Sequence, residues 1–224
     1  GYTPSERVVG EALERVIADA PGRVIVTTFS SLVSRIQQII DAAAKHDRRV
    51  FIIGRSMSDN VKMALELGYL HSPDGVLARM DELKGLAHDK IIFVTTGSQG
   101  EPTSALVRMA NRDHKQLKIN KGDTVVISAT PIPGNEAVVN RTVDNLLKQG
   151  ARVLYDKILP VHVHGHASQE ELKLLLNIVK PKFFVPVHGE YRHLSYHAKL
   201  AKSVGIPEEN IFVLEDGDKL EINP

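Results

Sequence analysis

The amino-acid sequence predicts an α/β fold: a mostly parallel sheet with helices on both faces, followed by a smaller α/β segment. Three observations carry this expectation. β-rich runs alternate four times with amphipathic helical runs, the order that folds as successive βα units. Each strand-to-helix turn is rich in Ser, Thr and Gly, and right-handed crossovers would gather such turns at one edge of the sheet. Histidines concentrate late in the chain, six of the ten lying between His162 and His197.

Taken in order, Thr3-Pro4-Ser5-Glu6 has the form of a capping box with proline at the first helical position. Val9, Leu13, Val16, Ile17 and Ala20 keep helical spacing until Pro21-Gly22. Residues 23–29 are β-rich, and after the turn Thr27 to Ser31 the series Leu32, Val33, Ile36, Ile39, Ile40, Ala43 marks an amphipathic helix. The succession recurs as strand 49–53, turn Gly54 to Ser58 and a helix from about Asp59 to Leu67. A third round has strand 90–95, turn Thr96 to Pro102 and helix 103–111; a fourth has strand 124–128, turn Ala129 to Glu136 and helix 137–149, stopped by Gly150. Residues 77–83 read as a short helix, and 113–118 as leading through a short strand to the turn at Lys121-Gly122-Asp123.

In the late segment His162, His164 and His166 would project from one face of a strand, because strand side chains alternate with period two. Ser168 and Glu171 form a second capping box, opening a helix through Leu172, Leu175, Leu176 and Val179 that Lys180-Pro181 ends. Residues 182–187 read as a buried strand that delivers His188 at its end, before Gly189. Two such strands joined by one crossover helix would bring the histidines to one sheet edge, where ligands usually bind. A helix over 194–204 and a strand pair 211–214 with 219–222 around Asp216-Gly217 close the chain.

Composition narrows the function classes. With 224 residues and 42% hydrophobic content the chain can build one large or two modest domains with a real core. The apolar runs are far short of the ~18 residues a membrane span needs, and the N-terminus lacks the basic-then-apolar order of a signal peptide, so a cytoplasmic protein without membrane contact is expected. Zero cysteine excludes disulfides, thiolate catalysis and cysteine-based zinc sites. A net charge of +1, from 28 basic and 27 acidic residues, neither supports nor excludes nucleic acid, so phosphate binding must rest on local geometry.

That geometry is suggested by the turns. Main-chain N–H groups at helix starts, with nearby hydroxyls, make phosphate seats. Polar turns of this kind also serve simply as caps; four of them at one edge, one carrying Arg55, favour an anionic polymer over a single carboxylate. The histidine run His162-x-His164-x-His166 superficially matches the H-x-H-x-D-H run of dinuclear zinc hydrolases but lacks its Asp and has Ala167 where the last histidine belongs.

Several blocks in order resemble the ribonuclease J family, the bacterial and archaeal RNA-processing branch of the β-CASP group within the metallo-β-lactamase superfamily. They are Gly54-Arg55-Ser56-Met57, Gly97 to Pro102, Pro131 to Glu136, His164 to Ser168, Pro186 to Leu194 and Leu214 to Asp218. The resemblance implies a β-CASP domain over residues 1–158, with 159–224 as the C-terminal part of a split metallo-β-lactamase domain. It implies RNA as partner, and a longer protein in which an N-terminal metallo-β-lactamase segment, absent here, carries the main ligands for two zinc ions. A homo-oligomer is left open.

The implied activity is metal-assisted phosphodiester hydrolysis in RNA processing and decay, 5′–3′ exonucleolytic, endonucleolytic or both, with these residues inactive alone and binding at most one metal ion weakly. By position, His188 matches a zinc ligand and His166 the histidine at the scissile phosphate; His164 stands where relatives often have serine. Ser30, Ser31, Arg55, Ser56, Gly97, Ser98, Gln99, Ser128, Asn135 and Glu136, with His164, match regions lining the RNA channel. Two other readings compete: a non-catalytic RNA-phosphate-binding module, and a mononuclear metal hydrolase built on His162, His164 and His188.

Overall fold

The protein is described by a computed structural model over residues 1–156 and 158–222. The described residues divide into two compact units, one spanning Pro4–Val163 and the other formed by Gly1–Thr3 with the chain from His164 onward.

The larger unit is a six-stranded sheet in which every pairing is parallel. Its strands are β1 (Val24–Thr27), β2 (Arg49–Ile53), β3 (Leu77–Ala78), β4 (Ile91–Thr95), β5 (Thr124–Ile127) and β6 (Arg152–Leu154), in the order β3-β2-β4-β1-β5-β6. Five helices cover it: α1 (Glu6–Asp19), α2 (Val33–Lys45), α3 (Arg55–Glu66), α4 (Ala105–Ala110) and α5 (Glu136–Lys148). Strand alternation sorts the core into two halves. Val24, Val26, Val50, Ile92, Val94 and Val126 pack with α1, α2 and α3, while Ile25, Phe51, Phe93, Val125, Ile127 and Val153 pack with α4 and α5. Both faces are therefore covered, which is why these strands read as continuous apolar runs rather than as alternating ones. Each fully buried Ile or Phe contributes roughly 2 kcal/mol of transfer free energy. The helices after β1 and β4 lie on opposite faces, so a crevice opens between the C-terminal ends of these adjacent strands.

Local departures from the sequence expectations have identifiable causes. The first helix is capped by Ser5, whose Oγ accepts the Arg7 N–H, not by Thr3. Thr3 instead donates to Glu171 Oε2 at 2.5 Å and shares a hydrogen bond with Ser168 at 3.0 Å, tying the N-terminus to the smaller unit. Helix α3 begins at Arg55, earlier than the expected Asp59, because Gly54 at φ +105° turns the chain in a single residue. Residues 77–83 are not one helix but strand β3 followed by a 3₁₀ turn over Met80–Leu83, and no strand forms over 113–118. Strand β6 had no counterpart among the expected elements.

The smaller unit holds helices α6 (Gln169–Val179) and α7 (Tyr191–Ser203) around Leu176, Ala201 and Ile206. The expected Ser168–Glu171 capping box is present. The expected strands are not. Residues 161–167 have no regular structure, 182–187 make a single bridge, Phe184 to Ile211, and no strand pair forms over 211–222. Extended segments become strands only where a neighbour completes their hydrogen-bond ladder, and among the described residues that neighbour is missing. Leu174, Leu175, Ile178 and Val179 of α6 are each more than half exposed.

Glu171 is held below the ordinary carboxylate range, first by the Thr3 hydroxyl and then by the Ser168 N–H. A carboxyl with a depressed folded pKa stabilises above its unfolded value and stops doing so as pH falls through the folded one. The Thr3–Glu171–Ser168 tie should thus be intact at neutral pH and lost on acidification below the ordinary carboxylate range. Hydrogen exchange of the Ser168 amide should accelerate there, beyond the intrinsic pH trend; an unchanged protection factor would contradict it.

Candidate nucleic-acid interface

In the larger unit the turns after β1, β2 and β4 line one open cleft of about 770 Å³. The turn after β1 brings Thr28, Phe29 and Ser30; that after β2 brings Gly54, Arg55 and Ser56; that after β4 brings Thr96, Gly97 and Ser98. Glu101, Thr103, Ser104, Ala105, Arg108 and His114 complete the wall. Arg55 and Ser56 are exposed in the first turn of α3, whose N-cap Gly54 supplies no side chain to satisfy the leading N–H groups. Positive helix-terminal dipole, guanidinium and hydroxyls give this surface the chemistry that suits an anion.

Gly97 sets the shape of the β4 turn. At φ +115°, a Cβ there would come within 2.5 Å of Ser104 Oγ and 2.9 Å of Leu106 Cβ. The turn can approach the start of α4 this closely only because that atom is missing.

Of the residues expected to contact RNA, Ser30, Arg55, Ser56, Gly97 and Ser98 meet in this cleft. Ser31, Asn135, Glu136, Gln99 and Ser128 do not line it. Gln99 is buried, donating through Nε2 to Thr130 O at 3.0 Å and accepting the Ile132 N–H at 2.7 Å, so it clamps the turn after β5 instead of facing a ligand. Ser128 is fully buried; its hydroxyl donates to Val161 O at 2.6 Å and accepts from Arg35. Both are corrected to framework residues: Ser128 is engaged on the buried Arg35 and Val161, and Gln99 is itself buried with its amide committed to the main chain of Thr130 and Ile132. Glu136 accepts the Gly134 N–H at 2.8 Å. Sequence reasoning missed Thr28, Thr96, Arg108 and His114. Thr28 and Thr96 follow their strands and could have been found by that position; Arg108 and His114 carry no local signal.

The smaller unit holds His164, His166 and His188, all exposed. The rings of His166 and His188 stack, with centroids 5.2 Å apart and planes 15° from parallel. His164 Nδ1 lies 2.8 Å from His166 O; a carbonyl only accepts, so Nδ1 carries the proton and Nε2 the free lone pair when the ring is neutral. His188 sits at φ +72°, a sparsely populated conformation for a non-glycine residue. Zinc needs three or four imidazole or carboxylate ligands converging on one point. Among the described residues no group of three or more potential ligands is so arranged, and His162, His164 and His188 do not form one. Nearly parallel stacked rings do not aim their in-plane nitrogens at a common point. These residues by themselves therefore do not fit a zinc centre.

The model of the ribonuclease J β-CASP domain matches residues 21–146, more than half of the chain. The chain belongs to the ribonuclease J family. A second model, described as the Zn-dependent metallo-hydrolase RNA specificity domain, matches residues 152–214 of this ribonuclease J family member. It is 49% identical to ribonuclease J of Synechocystis over 99% of its own length and 35% of that protein's. It is 47% identical to ribonuclease J of Helicobacter pylori over all of its length and 32% of that protein's, and 49% identical to ribonuclease J of Thermus thermophilus over 97% and 38%. It thus spans about a third of the length of these curated relatives.

Proposed function

We propose that the chain supplies the RNA-gripping surface and part of the active site of a zinc-dependent ribonuclease that hydrolyses phosphodiester bonds in RNA processing and decay. The observation that carries this reading is the convergence of Ser30, Arg55, Ser56, Gly97 and Ser98, from three separate turns, on one donor-rich cleft of a ribonuclease J family member. In this reading residues 1–158 are the β-CASP domain and 159–224 the C-terminal part of a metallo-β-lactamase domain. His166 donates a proton to the leaving oxygen or compensates charge on the phosphate. His188 contributes one imidazole to the metal, and the remaining ligands come from residues outside this chain. Two features support a partner segment of the same protein: the relatives' threefold greater length, and the apolar side chains exposed on α6. No helix among the described residues is long and apolar enough to cross a membrane; the cytoplasm is the proposed location.

RNA binding tests the reading. Binding of a 5′-phosphorylated oligoribonucleotide should weaken with added salt. Arg55→Ala should lower affinity about tenfold and reduce the salt slope by roughly 0.7, the value for one phosphate contact on a single strand. Ser98→Ala should lower affinity about threefold with the slope unchanged. Absence of binding at low salt, or a salt slope that ignores Arg55, would sink the proposal.

A further inference from the structure

We infer that His114 is a phosphate-contacting residue of the cleft, a neutral imidazole that presents its Nε2–H to a phosphate oxygen of bound RNA with Arg108 beside it. The identity of the ligand as RNA rests on the function proposed above; the placement of the donor does not.

The tautomer follows from main-chain geometry. His114 Nδ1 accepts the N–H of Gln116 at 3.3 Å and of Leu117 at 3.1 Å. A nitrogen that accepts carries the lone pair, so the proton of the neutral ring sits on Nε2. Protonating the ring would place hydrogen on Nδ1 and cost both main-chain bonds. Burial first, then the charge of Arg108, holds His114 below its ordinary pKa of 6.5, with Asp113 opposing. The ring is therefore uncharged at neutral pH and donates without adding charge. Arg108 is itself fixed, donating through Nη2 to Asp113 O at 3.1 Å.

A second observation points to a ligand in the same cleft. Thr28 lines it and is 1% exposed, yet its Oγ1 has no hydrogen-bond partner among the described residues. A buried hydroxyl left unpaired is costly unless something else engages it. Ser98, 2% exposed, lines the same wall. Apart from Glu101, whose Oε2 accepts the Gln99 N–H at 3.3 Å, the charged groups of the cleft are Arg55 and Arg108. A surplus of donors over acceptors selects an anion rich in acceptor oxygens, which is the character of a phosphate.

A neutral contact and a charged one differ in their salt dependence. Losing a guanidinium reduces the number of counterions released on binding, whereas losing a neutral N–H weakens affinity and leaves the slope untouched. Two amide replacements separate the roles of the two ring nitrogens. Asparagine places its Oδ1 near the position of Nδ1 and can keep the loop bonds without the cleft donor; glutamine places its amide near Nε2 and keeps the donor without the loop acceptor.

The experiment uses the full chain, a 3′-labelled, 5′-phosphorylated tetraribonucleotide read by fluorescence anisotropy at several salt concentrations, and histidine ¹⁵N spectra with inorganic phosphate added. The inference expects three results. The His114 spectrum is that of an Nε2–H tautomer and shifts with phosphate. His114→Asn retains the thermal midpoint but binds RNA roughly tenfold more weakly with the wild-type salt slope. His114→Gln stays within about threefold of wild type. It is overturned if His114→Asn binds as the wild type does, if its loss comes with a changed slope, if both variants lose binding together with a fallen midpoint, or if phosphate leaves the His114 signals unmoved. Should the wild type bind no RNA while phosphate still shifts the His114 signals, the RNA reading fails and the anion contact stands.

Discussion

Replacing Arg35 with alanine is expected to destabilise the protein by about 4 kcal/mol, a large fraction of the stability of an ordinary domain. Arg35 is fully buried on α2, yet its guanidinium reaches three separate parts of the chain. Nη1 donates to Ser128 at the end of β5 and to Val161 O at 2.8 Å, while Nη2 donates to Glu6 Oε2 at 2.6 Å in the first turn of α1. The substitution leaves a cavity the size of a long side chain and strips Ser128 and Val161 of a charge-assisted donor. Glu6 is more than a third exposed, so its carboxylate can return to water. Glu6→Gln keeps an acceptor for Nη2 but leaves the buried guanidinium without its counter-charge, and should cost about 2 kcal/mol, less than loss of the guanidinium itself. Urea denaturation of the two variants checks the contrast; a loss below about 1 kcal/mol for Arg35→Ala would show that the network is not what joins these elements.

Gly97→Ala should have the next largest effect, roughly 3 kcal/mol, together with loss of RNA binding by more than tenfold. Two costs add here: a positive φ that side chains resist, and a methyl driven against Ser104 Oγ and Leu106 Cβ. Relief requires α4 or the turn after β4 to move, and either motion deforms the cleft. Gly134→Ala isolates the first cost, since Gly134 also has a positive φ, +98°, but an added Cβ there meets nothing within 4 Å. That variant should lose only about 1 kcal/mol. If the two alanine variants are equally stable and bind equally well, the close packing of the turn on α4 is not what shapes the cleft.

The legibility of the candidate site followed the locality of its causes. Ser30, Arg55, Ser56, Gly97 and Ser98 could be picked out because each lies where a strand gives way to a helix, and parallel βα units send all such turns to one edge. Ser128 and Gln99 looked identical by that criterion, yet both are buried in the framework. Turn chemistry tells that a hydroxyl or amide is near the edge, not which neighbour it meets. Arg108 and His114 were invisible for the opposite reason. They enter the cleft from α4 and the stretch after it, and nothing in Arg108 to His114 marks that approach.

What the sequence by itself determined was the α/β class, the strands β1, β2, β4 and β5, and the capping box at Ser168, because period, apolar runs and caps are properties of a few consecutive residues. Tertiary structure alone decided that 161–167 and 182–187 are not strands, that Arg55 opens a helix, and that His166 stacks on His188. A strand exists only if a distant segment pairs with it, and a ring stack or a buried guanidinium network joins residues far apart in the chain. Such pairings are fixed by the packed whole, which no local window contains.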